Sequence, residues 1–335
     1  MKKPIHALLL GTLLPLLTLA ATAVHAQSQP QSQSQGAFKP TASVKLVVPF
    51  PPGGGTDALG RLLGEKLTNL WHQQVIVENR SGAQGNIGTA YAAKAPADGY
   101  TLLLAHQGVM TVNPHLSKDT GFNAIKDFVP VSLATQQPFV LVANPSVPVT
   151  TLKEVEALAK SRPGTLSYGS SAAGPQLAVE MFKYTTGSDL LHVAYKGAGP
   201  AVVDVLAGNI DLMVANPSSV AQHVKAGKLR AVVLFGSQPV DVLPGTPTAV
   251  EAGYPTLGDK PEWYGISVPA GTPASVVGQL NQDLNTALSD PAVRQRLKDL
   301  GMNASPSTPE AFAALIRRDY DYWGALIPKA GIHTD

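Results

Sequence analysis

The 335-residue chain contains no cysteine. That excludes a disulfide framework, a thiolate nucleophile, a thiolate metal site and a lipidated cysteine behind a leader. Nor is there a surplus of one charge. If residues 1–26 are removed, the 25 basic side chains lose Lys2 and Lys3 and equal the 23 acidic ones. A surface without net charge argues against nucleic acid or anionic membrane as partner. No apolar run suits a membrane span. The candidate near the N-terminus is broken by Gly11 and Pro15 and is shorter than the roughly 20 residues a spanning helix needs.

Several catalytic signatures are also missing. There is no HExxH, and none of the eight histidines is paired at metal-ligand spacing. Gly55 and Gly60 have P-loop spacing, but Arg61 and Leu62 stand where Lys and Ser or Thr are needed. The elbow G-x-S-x-G would read Gly169, Ser171 and a glycine at 173, where the chain has Ala173. No motif supplies Ser170 or Ser171 with an oriented base, so no serine hydrolase is expected.

What is present begins with MKKPIHALLLGTLLPLLTLAATAVHA. Two lysines, an apolar run, and Val24 and Ala26 at the small-residue positions form an export signal, with cleavage expected near Gln27 and a soluble product in the periplasm. Residues 27–40, QSQPQSQSQGAFKP, are too polar to offset their ordering entropy and read as a flexible leader.

From Ser43 onward, short β-branched runs alternate with stretches of helical period. The fold class is therefore α/β, with mixed, mostly parallel sheets flanked by helices. Strands are expected at 44–50, 74–78, 100–105, 139–143, 166–169, 191–195, 211–215, 229–234 and 264–269. Thr151 and Glu154 make a capping box before LKEVEALAKS, and Pro163 with Gly164 stops that helix. The segments 272–301 and 308–331 read as helices on the outside of one lobe. The 309 residues beyond the signal exceed what one core usually serves, which favours two lobes. The chain is expected to leave and re-enter the first, giving domain 1 as 41–142 plus 263–335 and domain 2 as 143–262. Two crossings make a hinge and a cleft, where ligands of α/β proteins sit.

Four glycine-rich turns precede helices: PFPPGGGTD, NRSGAQGNIG, YGSSAAGP and YKGAGPAV. Glycines let backbone approach a ligand, and helix N-termini attract anions. Split between two lobes, four such turns can surround a small anion. A dinucleotide fingerprint is the rival, since Gly53, Gly55 and Ala58 fit G-x-G-x-x-G/A and Glu78 ends the next strand. Against it, Asp57 falls where a pyrophosphate would sit, and it can act instead as an internal cap. His106, at the end of TLLLAH, is the histidine placed in the cleft, either as a ligand group or as a capped strand end.

The ordered combination of PFPPGGGTD, VENRSGAQGNIGTAYAAKAPADGYTLLLA, YKGAGPAVVDVLAGNIDLM and PEWYGISVPAGTP closely resembles the Bug family. These are extracytoplasmic solute-binding receptors of tripartite tricarboxylate transporters. The resemblance covers residues 43–332. It implies a two-lobed, type II-like periplasmic binding protein without cofactor, a monomer that closes on a small organic carboxylate and delivers it to membrane permease subunits. Carried over residue by residue, the first lobe lines the pocket with Phe50, Pro52, Gly53, Gly54, Thr56 and Asp57, and with Ala83, Gln84, Gly85 and Asn86. The second contributes Ser170, Ser171 and Gly174, then Tyr195, Lys196 and Gly197, and finally Asn216. His106 and Asn216 depart from the family pattern and are expected to select among ligands, His106 by donating a hydrogen bond or stacking on a ring.

Overall fold

A computed structural model describes residues 38–195, 197–258 and 260–329. The export signal, the leader as far as position 37, and Lys196 lie outside the described residues. Where the leader is described it is packed: Phe38 meets the ring of Tyr100 edge-on, with centroids 5.7 Å apart, and Pro40 is buried. The expectation of a flexible leader is therefore corrected for 38–40, because an aromatic ring has enough apolar area to dock.

The strands are β1 (Val44–Val48), β2 (Val75–Asn79), β3 (Thr101–His106), β4 (Phe128–Gln137), β5 (Phe139–Ala143), β6 (Ser167–Ser170), β7 (Leu191–Ala194), β8 (Leu212–Ala215), β9 (Arg230–Phe235), β10 (Glu262–Pro269) and β11 (Asn303–Ala304). They form two sheets, one ordered β11-β4-β10-β3-β1-β2 and the other β7-β6-β8-β5-β9. Parallel pairs β1–β2, β1–β3, β6–β7 and β6–β8 lie beside antiparallel ones made by β10 and β5. Those two reversed strands are the ones that follow the crossings between sheets. Both are buried along their whole length.

Among the described residues the helices are α1 (Gly55–Trp71), α2 (Asn86–Ala93), α3 (Asn113–Leu116), α4 (Leu152–Ser161), α5 (Ala173–Thr186), α6 (Ala198–Ala207), α7 (Pro217–Lys225), α8 (Ala274–Ser289), α9 (Pro291–Asp299) and α10 (Pro309–Lys329). In α1 the buried Leu59, Leu62, Leu63, Leu67 and Trp71 recur at helical spacing and face the first sheet. His72 ends the helix in the left-handed region at φ 54°, its N–H returning to the Thr68 carbonyl. The capping box of α4 forms as read, with the Glu154 N–H donating to Thr151 Oγ1 at 3.2 Å.

One boundary, the packing of α10 and the presence of β4 differ from expectation. β5 pairs with β8 and β9, so the chain leaves the first sheet at Pro138, four residues before the expected change at 142, and returns at Glu262. Pro138 cannot donate to either ladder, which makes it a natural break between two strands in different sheets. α10 also does not stay with one lobe. Phe312 and Ile316 pack with first-sheet residues, whereas Trp323 and Ile327 belong to the core around Phe139, Leu177 and Phe235. β4 was not anticipated because it carries Pro130 and buries Ser132, Thr135 and Gln137. Pro130 is tolerated because β11 pairs only with Gln136 and Thr135, leaving the edge at 130 without a ladder.

Candidate ligand cleft

A cavity of about 560 Å³ opens between the two sheets. The first sheet's side brings Phe50 after β1, Ser81, Gly82, Gln84 and Gly85 before α2, His106 at the end of β3, and Gly108, Val109 and Asn113 beyond it. The second sheet's side brings Ser170 to Gly174 between β6 and α5, Gln176, and His192, Ala194 and Tyr195 from β7. None of the described lining residues is Asp, Glu, Lys or Arg. Their polar contributions are hydroxyls, amides, imidazoles and backbone.

The Ser81–Asn86 loop has an unusual backbone. Gly82, Ala83, Gln84 and Gly85 have φ of 132°, 45°, 52° and 96°. The two non-glycine members each cost on the order of 1–3 kcal/mol, a strain that persists where tertiary contacts over-determine the loop. Asn113 supplies such contacts, its Nδ2 donating to the Gln84 carbonyl at 3.1 Å and to Asn86 Oδ1 at 2.8 Å. Gly85 must be glycine for a second reason, because a Cβ there would lie 2.7 Å from Val109 Cγ2. Val109 sits in a turn of π-helix, Gly108–Val112, directly after β3. Such turns recur at functional sites.

Behind the wall, His106 belongs to a buried polar network. The Gly108 N–H donates to His106 Nδ1 at 3.0 Å, which fixes the proton on Nε2, and Nε2 lies 3.1 Å from Glu262 Oε1. Glu262 also receives the Tyr264 hydroxyl at 2.9 Å and the Gln137 amide. Burial pushes the Glu262 carboxyl up, but the donors His106, Gln137 and Tyr264 outweigh it and hold the group below the usual carboxylate range. Tyr264 is pushed well above an ordinary phenol by burial first and then by the Glu262 charge. Thr56 of α1 and Asn216 at the start of α7 lie near this hydroxyl and offset part of that rise.

The chain matches the family model described as "Tripartite tricarboxylate transporter family receptor" over residues 59–332. It is a member of that receptor family. "Protein BugT" of Bordetella pertussis is 36% identical over 295 residues, 87% of this chain and 90% of that protein. Among solved structures, "R. palustris Rpa4515 with adipate" superposes with a TM-score of 0.79 at 32% identity, covering 88% of this chain and 99% of that one. "MatC (Rpa3494) from Rhodopseudomonas palustris with bound malate" gives a TM-score of 0.75 at 30% identity, covering 86% and 99%. The family is one of solute receptors, and its solved relatives share the two-sheet α/β fold.

Within this receptor, the residues singled out from the sequence divide into groups. Phe50, Gln84, Gly85, His106, Ser170, Ser171, Gly174 and Tyr195 line the cleft cavity. Ala83 and Asn86 shape the loop beside it. Thr56 and Asn216 do not line it and lie near Tyr264. Gly53, Gly54 and Asp57 line a different recess of about 360 Å³, shared with Arg61, Glu65, Arg296 and Asp299. Pro52 is exposed, and neither it nor Gly197 lines the cleft cavity.

Asp57 closes the glycine turn on itself. Its carboxylate accepts the Gly53 N–H at 2.9 Å, Arg61 Nε at 3.0 Å and Asn79 Nδ2 at 3.0 Å. Burial would raise this carboxyl, and Arg61, the Gly53 N–H and Asn79 together bring it below its ordinary value. A pyrophosphate would compete with that carboxylate for the same N–H, so the geometry opposes the dinucleotide reading at Gly53, Gly55 and Ala58. The hydrogen-bonding role expected of His106 toward a ligand is corrected as well. Both its ring nitrogens are engaged inside the protein, and what it offers the cavity is ring surface, 4.8 Å from the Phe50 ring and 5.1 Å from Tyr264.

The sequence reading missed His192. Ser170 Oγ and His192 Nε2 are 2.8 Å apart, so Ser170 has an imidazole partner that no motif announced. The available signal was strand parity: in adjacent parallel strands Ser170 pairs with Ala194 and Tyr168 with His192, which puts Ser170 and His192 on one face.

Proposed function

We propose that this chain is a periplasmic receptor that captures a small organic carboxylate in the cleft between its two sheets and delivers it to the membrane permease subunits of a tripartite transporter. The observation that carries this reading is a cavity lined from both sheets by neutral hydrogen-bonding groups, with the N-terminal turn of α5 at its wall and no described carboxylate in its lining. Neutral donors and a helix N-terminus suit an anionic end group without the desolvation cost of an opposed charge. The adipate and malate bound by two solved relatives are the chemical class expected here. Crossings at Pro138 and before Glu262 would serve as the hinge between a discontinuous first domain and a continuous second one. The receptor acts as a monomer, without cofactor and without catalysis.

A thermal-shift and calorimetric screen of the mature chain against dicarboxylates, tricarboxylates, aromatic acids and acidic amino acids tests the reading. At a hundredfold excess over Kd a true ligand stabilises by about 2.7 kcal/mol. No shift from any acid, together with a shift from NAD or NADP, would replace it by the dinucleotide reading.

The pairing of Ser170 with His192 favours one alternative, a serine hydrolase. Ser170 ends a regular strand and carries no elbow motif, and receptor membership argues for binding. Turnover of a p-nitrophenyl ester that disappears in Ser170→Ala would decide for the enzyme.

A further inference from the structure

The two walls of the cavity differ in what they offer an anion. On the second-sheet wall, Ser170 and Ser171 bring hydroxyls and Gln176 an amide, and the N-terminal turn of α5 opens beside them with no side-chain cap at Ala172. Ser170 is only 3% exposed. A buried hydroxyl beside uncapped helix N–H groups suits one carboxylate.

On the first-sheet wall the donors are spent inside the protein. The Gly85 N–H donates to the Gly82 carbonyl at 3.0 Å, and the Asn86 N–H returns to the Ala83 carbonyl. Asn113 turns its amide nitrogen into the same loop, onto the Gln84 carbonyl and Asn86 Oδ1. Both ring nitrogens of His106 are engaged behind the wall. The other polar side chains here, Ser81 and Gln84, are exposed to solvent.

What the buried part of this wall presents is apolar. Gly85 has no side chain, and a Cβ there would lie 3.3 Å from Phe50 Cζ and 2.7 Å from Val109 Cγ2, so a ring and an aliphatic group converge over its α-carbon. The His106 ring continues the patch, its centroid 4.8 Å from that of Phe50. No Lys or Arg stands among the described lining residues. A second carboxylate pressed against this wall would lose hydration without gaining a cation, and would face ring carbons.

We infer that the ligand is a monocarboxylate with an apolar body, an aromatic ring by preference. Its carboxylate is held at Ser170 and the start of α5, and its body lies on Phe50, Val109 and the His106 ring, where ring-to-ring contact adds to the area buried. Phe50 is the specificity-determining residue. This inference rests on the receptor reading and narrows the carboxylate class to one charged end.

Two matched pairs test it by calorimetry on the mature chain: hexanoate against adipate, and 4-methylbenzoate against terephthalate. Each pair exchanges one carboxylate for a methyl group on the same skeleton. The methyl member is expected to bind about tenfold more tightly in both pairs. Phe50→Ala admits water to the wall and should reduce that preference to less than about threefold. Phe50→Leu keeps an apolar side chain without a ring, so it should retain hexanoate while weakening 4-methylbenzoate about fivefold. Ser170→Ala should weaken all four acids by a similar factor, because it acts on the carboxylate they share. A preference below about threefold in either wild-type pair, a preference unchanged by Phe50→Ala, or equal effects of Phe50→Leu on hexanoate and 4-methylbenzoate overturns the inference alone. So does binding confined to the dicarboxylates, tricarboxylates or acidic amino acids of the wider screen. A wild type that binds none of the four probes and no acid of that screen overturns the receptor reading and this inference with it.

Discussion

Replacing His106 with alanine isolates the energetics of the buried network behind the cleft. The substitution removes a donor from Glu262, whose residue is 3% exposed, and leaves that carboxylate with Gln137 and Tyr264. It also frees the Gly108 N–H, which now donates to Nδ1 at 3.0 Å. Losing one partner of a buried charge-assisted bond costs about 1.5–3 kcal/mol, and complete rupture of a buried ion pair about 3–5 kcal/mol. Because two donors to Glu262 survive, the lower part of that span applies. The deleted ring borders the cleft, so water can fill the space and the cavity penalty stays small. The sum is about 3 kcal/mol, or a fall in Tm of about 5 °C for a chain of this size. Glu262→Gln should cost less, since the amide still accepts one hydrogen bond. A double-mutant cycle of the two, read by thermal and urea melts followed by circular dichroism, should give a coupling of at least about 1.5 kcal/mol. Coupling below about 0.5 kcal/mol would refute the claim that His106 is engaged with Glu262, and would return the imidazole to the list of groups able to bond a ligand.

Other consequences follow from the same geometry. Asp57 and Glu262 both have lowered carboxyl titrations, so their contribution is complete above their unfolded values near 4 and is lost as pH falls through the lower folded values. Melting temperature should therefore drop below about pH 4, and Asp57→Asn should be destabilised at neutral pH while converging on the wild type in acid; a constant gap down to pH 2 would contradict this. Gly85→Ala must place a Cβ 2.7 Å from Val109 at a φ of 96°, and should destabilise by about 2 kcal/mol and weaken any cleft ligand. Gly54→Val, by contrast, meets nothing within 4 Å and lines the outer recess, so binding calorimetry should find it nearly silent. Complete loss of binding in Gly54→Val would show that the first glycine turn reaches the ligand after all.

Much of this protein was legible in one dimension, where the governing interactions are local. Alternating β-branched runs and amphipathic stretches announced an α/β fold because periodicity follows from the geometry of each element alone. The capping box at Thr151 and Glu154 spans three residues and could be read directly. The loop glycines at 82 and 85 marked backbone that other residues adopt only under strain. Ordered motifs pointed to a receptor family, and the family match bore that out.

Tertiary structure decided what depends on distant partners. β4 was hidden because Pro130 and its buried polar residues look like a loop until β10 and β11 satisfy them. β5 reads as one more apolar strand, and only its pairing with β8 and β9 assigns it to the second sheet. His106 looked available for a ligand until Gly108 and Glu262 were found on its two nitrogens. Ser170 looked unpartnered until parallel register brought in His192 from 22 positions away. A side chain's type sets which bonds it can make, and the fold sets which of them remain open to the cleft.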